Sequence, residues 1–145
     1  MSLYSITTFI GKDVIFHGLK QMTFGIHTLV SYITTQHNHP IVEQQLQALD
    51  IVSCVATIEA VVEEIQDNVK EKRSHHLALN YVHETISSIH KELQALEKEM
   101  KYHDTRWFAA WREPNTKDSL LGLHLLKIQL EKRMSLFIQV MQIGI

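Results

Sequence analysis

One cysteine, two prolines and five glycines stand among 145 residues. The single Cys54 excludes an internal disulfide framework and fits a reducing compartment. So few helix breakers allow few turns, and the elements between them must be long. An excess of charge of either sign is also missing: the formal net charge is −2. The basic residues are scattered and not interleaved with aromatics, which argues against nucleic acid as a partner. No run of about 20 uncharged apolar residues occurs, so no obvious membrane-spanning helix is expected. The opening residues lack the basic start, apolar centre and cleavage site of a signal peptide, and the expected location is cytoplasmic. A Gly-rich phosphate loop, a Cys-x-x-Cys pair and a His-Glu-x-x-His helix are all absent. Cys54 sits in the middle of an apolar stretch, where a thiol is held protonated and hidden. No catalytic residue, cofactor or metal is therefore expected, and the chain does not read as an enzyme.

What is present is helical periodicity. Leu79, Val82, Ile86, Ile89, Leu93, Leu96 and Met100 are spaced alternately three and four residues apart, the seam of a long helix packed lengthwise on others. That pattern predicts a helix over 75–103, with Ser74 as its cap after a charged break at 70–75. A first helix is expected over about 3–35, with Ile15, Leu19, Met22, Ile26, Leu29 and Ile33 as its seam. A second is expected over about 41–70, entered through Pro40, with Ile41, Ala48, Ile51, Val55, Ile58, Val62, Ile65 and Val69 inward. Its outer face carries Glu43, Asp50, Glu59, Glu63, Glu64 and Asp67, an ordinary solvated surface. A last helix runs from a cap near Asn115 or Thr116 to about 142, apolar over more than half its circumference. Such a helix is surrounded by others or by a partner. The fold expected is all-α: one domain over 1–145, an antiparallel four-helix bundle of long helices with a short aromatic helix before the last.

Gly11, Gly18 and Gly25 recur every seven residues in the first helix. Each Gly costs about 1 kcal/mol against Ala in a helix interior, so the stripe reads as a surface for close helix packing or oligomerisation. Trp107 and Trp111 lie one turn apart within a short helix at 105–112 ended by Pro114. They read as a plug for one end of the bundle, or as an anchor for a partner or a lipid interface. Histidine is abundant, with ten in the chain, so mild acid turns a slightly negative protein strongly positive. His76, His83 and His90 repeat every seven residues beside the third seam, as flank residues with half-buried rings. They stand about 10 Å apart along the axis at 1.5 Å per residue, too far to share a metal. His37 and His39 lie in the turn before Pro40 and read as solvated.

The order of these features resembles the HeLo-like N-terminal bundles of cell-death effectors, including that of the mixed lineage kinase domain-like pseudokinase. The likeness rests on the Gly-bearing apolar first helix, the two long helices after it, the aromatic segment Arg106-Trp107-Phe108-Ala109-Ala110-Trp111, and the Leu-rich helix from Asp118 to Met141. It implies a bundle that oligomerises and permeabilises membranes. The expected function is non-enzymatic: protein–protein interaction by self-association, with peripheral recruitment to a membrane and the first helix as the active element. The alternative is a structural subunit or adaptor of a larger viral or organellar assembly, because the apolar positions exceed what four seams require.

Overall fold

A computed structural model describes residues 11–36, 39–105 and 115–143. Among them the regular structure is entirely helical: α1 Lys12–Gln36, α2 Pro40–Leu49, α3 Ile51–Glu64, a 3-10 turn at Gln66–Asn68, α4 Arg73–Asp104 and α5 Lys117–Ile143. α2 and α3 are one bent rod, so the described residues form four rods.

α4 is its axis. The seven residues of its three–four seam, Leu79 to Met100, are all fully buried. α4 packs along α5 on one side and along α1 on the other, and α1 packs against α3. The third helix starts two residues earlier than its sequence pattern predicts, at Arg73, and Ser74 lies inside its first turn rather than at the cap. Lys72 holds the cap position with extended backbone and no side-chain cap bond. Two imidazoles organise this entry instead. The Lys70 amide donates to His75 Nδ1 at 3.0 Å, and His76 Nε2 pairs with Glu71 at 3.0 Å.

The second rod departs from the expected continuous helix over 41–70. Asp50 adopts a left-handed conformation, φ 51° and ψ 44°, and divides it. Asp enters this region more readily than most non-glycine residues because its short polar side chain can interact with the adjacent backbone. The Asp50 amide still reaches the Leu46 carbonyl at 3.2 Å, and the Cys54 amide restarts the ladder on the Asp50 carbonyl at 3.1 Å. The carbonyl of Leu49 is taken by Lys127 Nζ, reaching across from α5. The bend also moves the seam. Beyond it Ile51, Val55, Ile58 and Val62 face inward as their spacing predicts, but before it the buried residues are Val42 and Leu46, while Ile41 is 55% exposed. A single left-handed residue rotates the preceding turns, so the three–four pattern cannot be read through it. The rod ends at Glu64, where the chain tightens into the 3-10 turn, and Val69 then drops into the core.

α5 begins at Lys117, with the Leu120 amide on the Thr116 carbonyl at 2.9 Å. It buries Leu123, Leu130, Met134 and Phe137. Arg133 ties it to α4, donating to Thr85 Oγ1 at 2.7 Å and to the Tyr81 carbonyl at 3.2 Å, with the guanidinium 5.0 Å above the Tyr81 ring. The buried Thr85 hydroxyl is thereby fully used, since it also donates to Tyr81.

Candidate functional site

Four features carry chemistry or recognition. The first is the contact between the glycine and histidine repeats. A Cβ at Gly18 would stand 3.1 Å from His83 Nε2, and one at Gly25 would stand 2.9 Å from His90 Nε2. Two seven-residue repeats on separate helices thus run in phase, and each glycine leaves space for an imidazole. The close neighbour at Gly18 and Gly25 is a ring of the same chain, whereas Gly11 precedes α1, is exposed, and would place a Cβ in open space. Burial lowers the pKa of His83, with Glu84 opposing. Burial also lowers that of His75, helped by the neighbouring Lys72, His76 and Lys70 charges.

The second feature is the seam between the bent rod and α5, which stays gapped along its length. A groove of about 700 Å³ lies between α2 and the start of α5, lined by Ile41, Leu49, Leu120 and His124 among others. A second, a shallow groove open to solvent of about 590 Å³, spans Asp50, Cys54, Lys127, Glu131 and Met134. A third, of about 580 Å³, lies at the far end beside Val61, Ile65, His75 and Met141. The half-buried Cys54 thiol is pushed up by burial first and by the Glu131 carboxylate second, so it stays protonated and a poor nucleophile.

The third is the outer face of α5. Leu121, Leu125, Ile128, Leu136 and Ile143 are 57%, 56%, 39%, 50% and 84% exposed. They follow helical spacing, so they form one row with Lys132 and Gln139 as its polar breaks. The apolar excess read from the sequence of the last helix is thus directed outward within this chain.

The fourth was not legible as a motif. His39, at the start of α2, meets His103 and Asp104, in the last turn of α4. One ligating atom from each lies within 4.8 Å of the other two. His39 Nε2 and Asp104 Oδ1 are 3.1 Å apart, and the two imidazoles meet edge to face with centroids 5.3 Å apart. His39 is thus far from the solvated turn residue its local sequence suggests. The signal that finds this cluster is tertiary: the end of the third rod meets the chain just after the first. Trp107, Trp111 and the short aromatic helix expected around them, like His37, lie outside the described residues.

No protein-family model matches this chain, and neither a curated protein nor a solved structure shows significant similarity to it.

Proposed function

We propose that this chain is a non-enzymatic bundle of alternating, antiparallel rods that acts by associating with a second copy of itself through the outer face of α5. Contacts between rods support the alternation. Lys12 reaches the Val69 carbonyl while Lys20 pairs with Glu63, so the numbering falls on one rod as it rises on the other. Gly122 faces Glu92 and Arg133 reaches Tyr81, giving the same opposition between α5 and α4. Gly18 with His83 and Gly25 with His90 put α1 and α4 in the same direction.

The observation that carries the association is the exposed row from Leu121 to Ile143. At 1.5 Å per residue the row is about 33 Å long, a length suited to pairing with another helix. A stripe about 10 Å wide covers roughly 300 Å², well under the ~800 Å² per partner of a standard interface. The resulting association is weak and depends on concentration. The likeness in layout to HeLo-like cell-death bundles belongs to the same proposal, as does recruitment to membranes. Pro40–Glu64 is long and apolar enough to cross a membrane by length and composition alone, although Asp50 interrupts it.

Light scattering after size exclusion, from micromolar to millimolar protein, tests the proposal. The mass rises toward twice that of the monomer, and Leu125→Lys with Ile128→Lys holds it at the monomer with unchanged helicity. A wild-type chain that stays monomeric throughout overturns the reading. Dye release from vesicles by that monomer, lost in the same double variant, would replace self-association with membrane engagement.

A further inference from the structure

We propose that His39, His103 and Asp104 form a site for a divalent transition metal of the zinc class, which staples the α1–α2 connection to the end of α4. Two imidazoles and one carboxylate are ligands that Zn²⁺ and its neighbours in the first transition row accept. Around a tetrahedral ion with bonds of about 2.0–2.2 Å, ligand atoms stand roughly 3.3–3.5 Å apart. The His39–Asp104 pair is already at 3.1 Å, and no pair of the three atoms exceeds 4.8 Å. Any remaining gap is at most about 1.5 Å and is closed by side-chain torsion, because terminal sp²–sp³ torsions of His and Asp are broad.

The backbone under each ligand is fixed. Pro40 follows His39 and locks its own φ, and the His39 carbonyl accepts the Glu43 amide at 3.0 Å. His103 is 5% exposed and belongs to the last turn of a 32-residue helix whose seam is wholly buried. Asp104 follows it directly, so two ligands share one rigid support and the third comes from another rod. Binding replaces the hydrogen bond from His39 Nε2–H to Asp104 Oδ1 with two metal bonds; the Nε2 proton is released to solvent, or the ring changes tautomer so that its proton sits on Nδ1. Three protein ligands leave a coordination position for water. The ion bridges residues 65 apart in the chain, so its binding free energy adds to folding stability. This inference is independent of the association through α5, since none of its residues lies on that helix.

The test uses the full chain, stripped of metal with chelator and kept dilute enough to be monomeric. Calorimetric titration with Zn²⁺, and Co²⁺ absorption as a geometric probe, are compared in wild type, His39→Gln, Asp104→Asn and His17→Gln. The last removes an exposed imidazole near the start of α1 and serves as control for the many surface histidines. The expected result is one equivalent bound at micromolar or tighter Kd, weakened at least tenfold in His39→Gln and in Asp104→Asn and unchanged in His17→Gln. Zn²⁺ should raise the melting temperature of wild type and not of the two site variants. Because both substitutions are at partly exposed positions, circular dichroism of the metal-free variants should match wild type, so loss of binding is separable from loss of fold. Absence of a tight equivalent, or equal affinity in all four proteins, overturns the proposal.

Discussion

Two of the seams between the described rods are built differently. Between α1 and α4 both rods are unbroken, and the glycines of one receive the imidazoles of the other at a matching seven-residue interval. Ile26, Leu79, Val82 and Ile86 along that seam are fully buried. Between the bent rod and α5 the surface is furrowed: solvent-open grooves of about 700, 590 and 580 Å³ follow one another along it. The difference lies in register. Two uninterrupted helices keep one phase over many turns, so a fit made at one level repeats at the next. Asp50 changes the phase of the second rod midway, and the straight α5 cannot match both halves. Lys127 crosses from α5 to the bend by its bond to the Leu49 carbonyl and itself lines the central gap with Asp50 and Glu131.

The largest expected effect separates the seams by truncation. Ile86→Ala in the closed region should cost about 3–4 kcal/mol, because a well-packed site relaxes little around the lost side chain. Met134→Ala, on the wall of the central groove, should cost roughly half as much, since part of its surroundings is already empty. Urea denaturation of both variants with a common m-value measures the difference. Equal losses would mean that the gapped seam packs as tightly in solution as the closed one.

How much of this was legible in the sequence follows the same division. The α4 seam was readable residue by residue because one register runs through it. The glycine and histidine repeats were each visible as sevens, but their meeting was not, since the phase between two helices is written in neither alone. The bend at Asp50 carried no Gly or Pro to announce it. Ala48-Leu49-Asp50-Ile51 reads as continuous helix, and the Lys127 ammonium that satisfies the freed carbonyl comes from 78 residues away. The unbroken pattern accordingly points Ile41 and Ala48 inward, whereas the buried face is that of Val42 and Leu46. The outward row on α5 was legible as excess apolarity but not as a direction. His39 and His103 could be joined only through the order of the rods, because nothing local to either residue marks it as a ligand.

A smaller effect probes the closed seam at its tightest point. Ala is favoured over Gly inside a helix by about 1 kcal/mol, yet a methyl at Gly25 must displace the His90 ring from 2.9 Å. Gly25→Ala is therefore expected to destabilise by about 0.5–1 kcal/mol in the native background and to stabilise once His90→Ala has removed the ring. The coupling from that double-mutant cycle should exceed the coupling between Gly18 and His83, where the approach is 3.1 Å and the ring needs to give only slightly. Stabilisation by Gly25→Ala with His90 intact would break the idea that glycine there makes room for the imidazole.

The gentlest test uses protons. Burial depresses the pKa of both His75 and His83 below the ordinary 6.5. As the pH falls through about 6.5, the unfolded chain takes up protons before the folded one does. Their contribution to stability is thus fully present above that pH and declines below it, levelling only when the folded imidazoles also titrate. For His75 the decline has a visible origin, because its Nδ1 accepts the Lys70 amide and a proton there removes that bond. Nearby positive charge at Lys72 acts in the same sense. For His83 the cause is enclosure against Gly18, which gives the charged ring less water and no new partner of its own. Unfolding free energies measured at intervals between neutral and mildly acid pH should therefore fall toward acid in wild type, and less steeply in His83→Gln. A slope unchanged by that substitution would place the sensitivity at His75 and the loop before α4, leaving the glycine-histidine seam indifferent to acid.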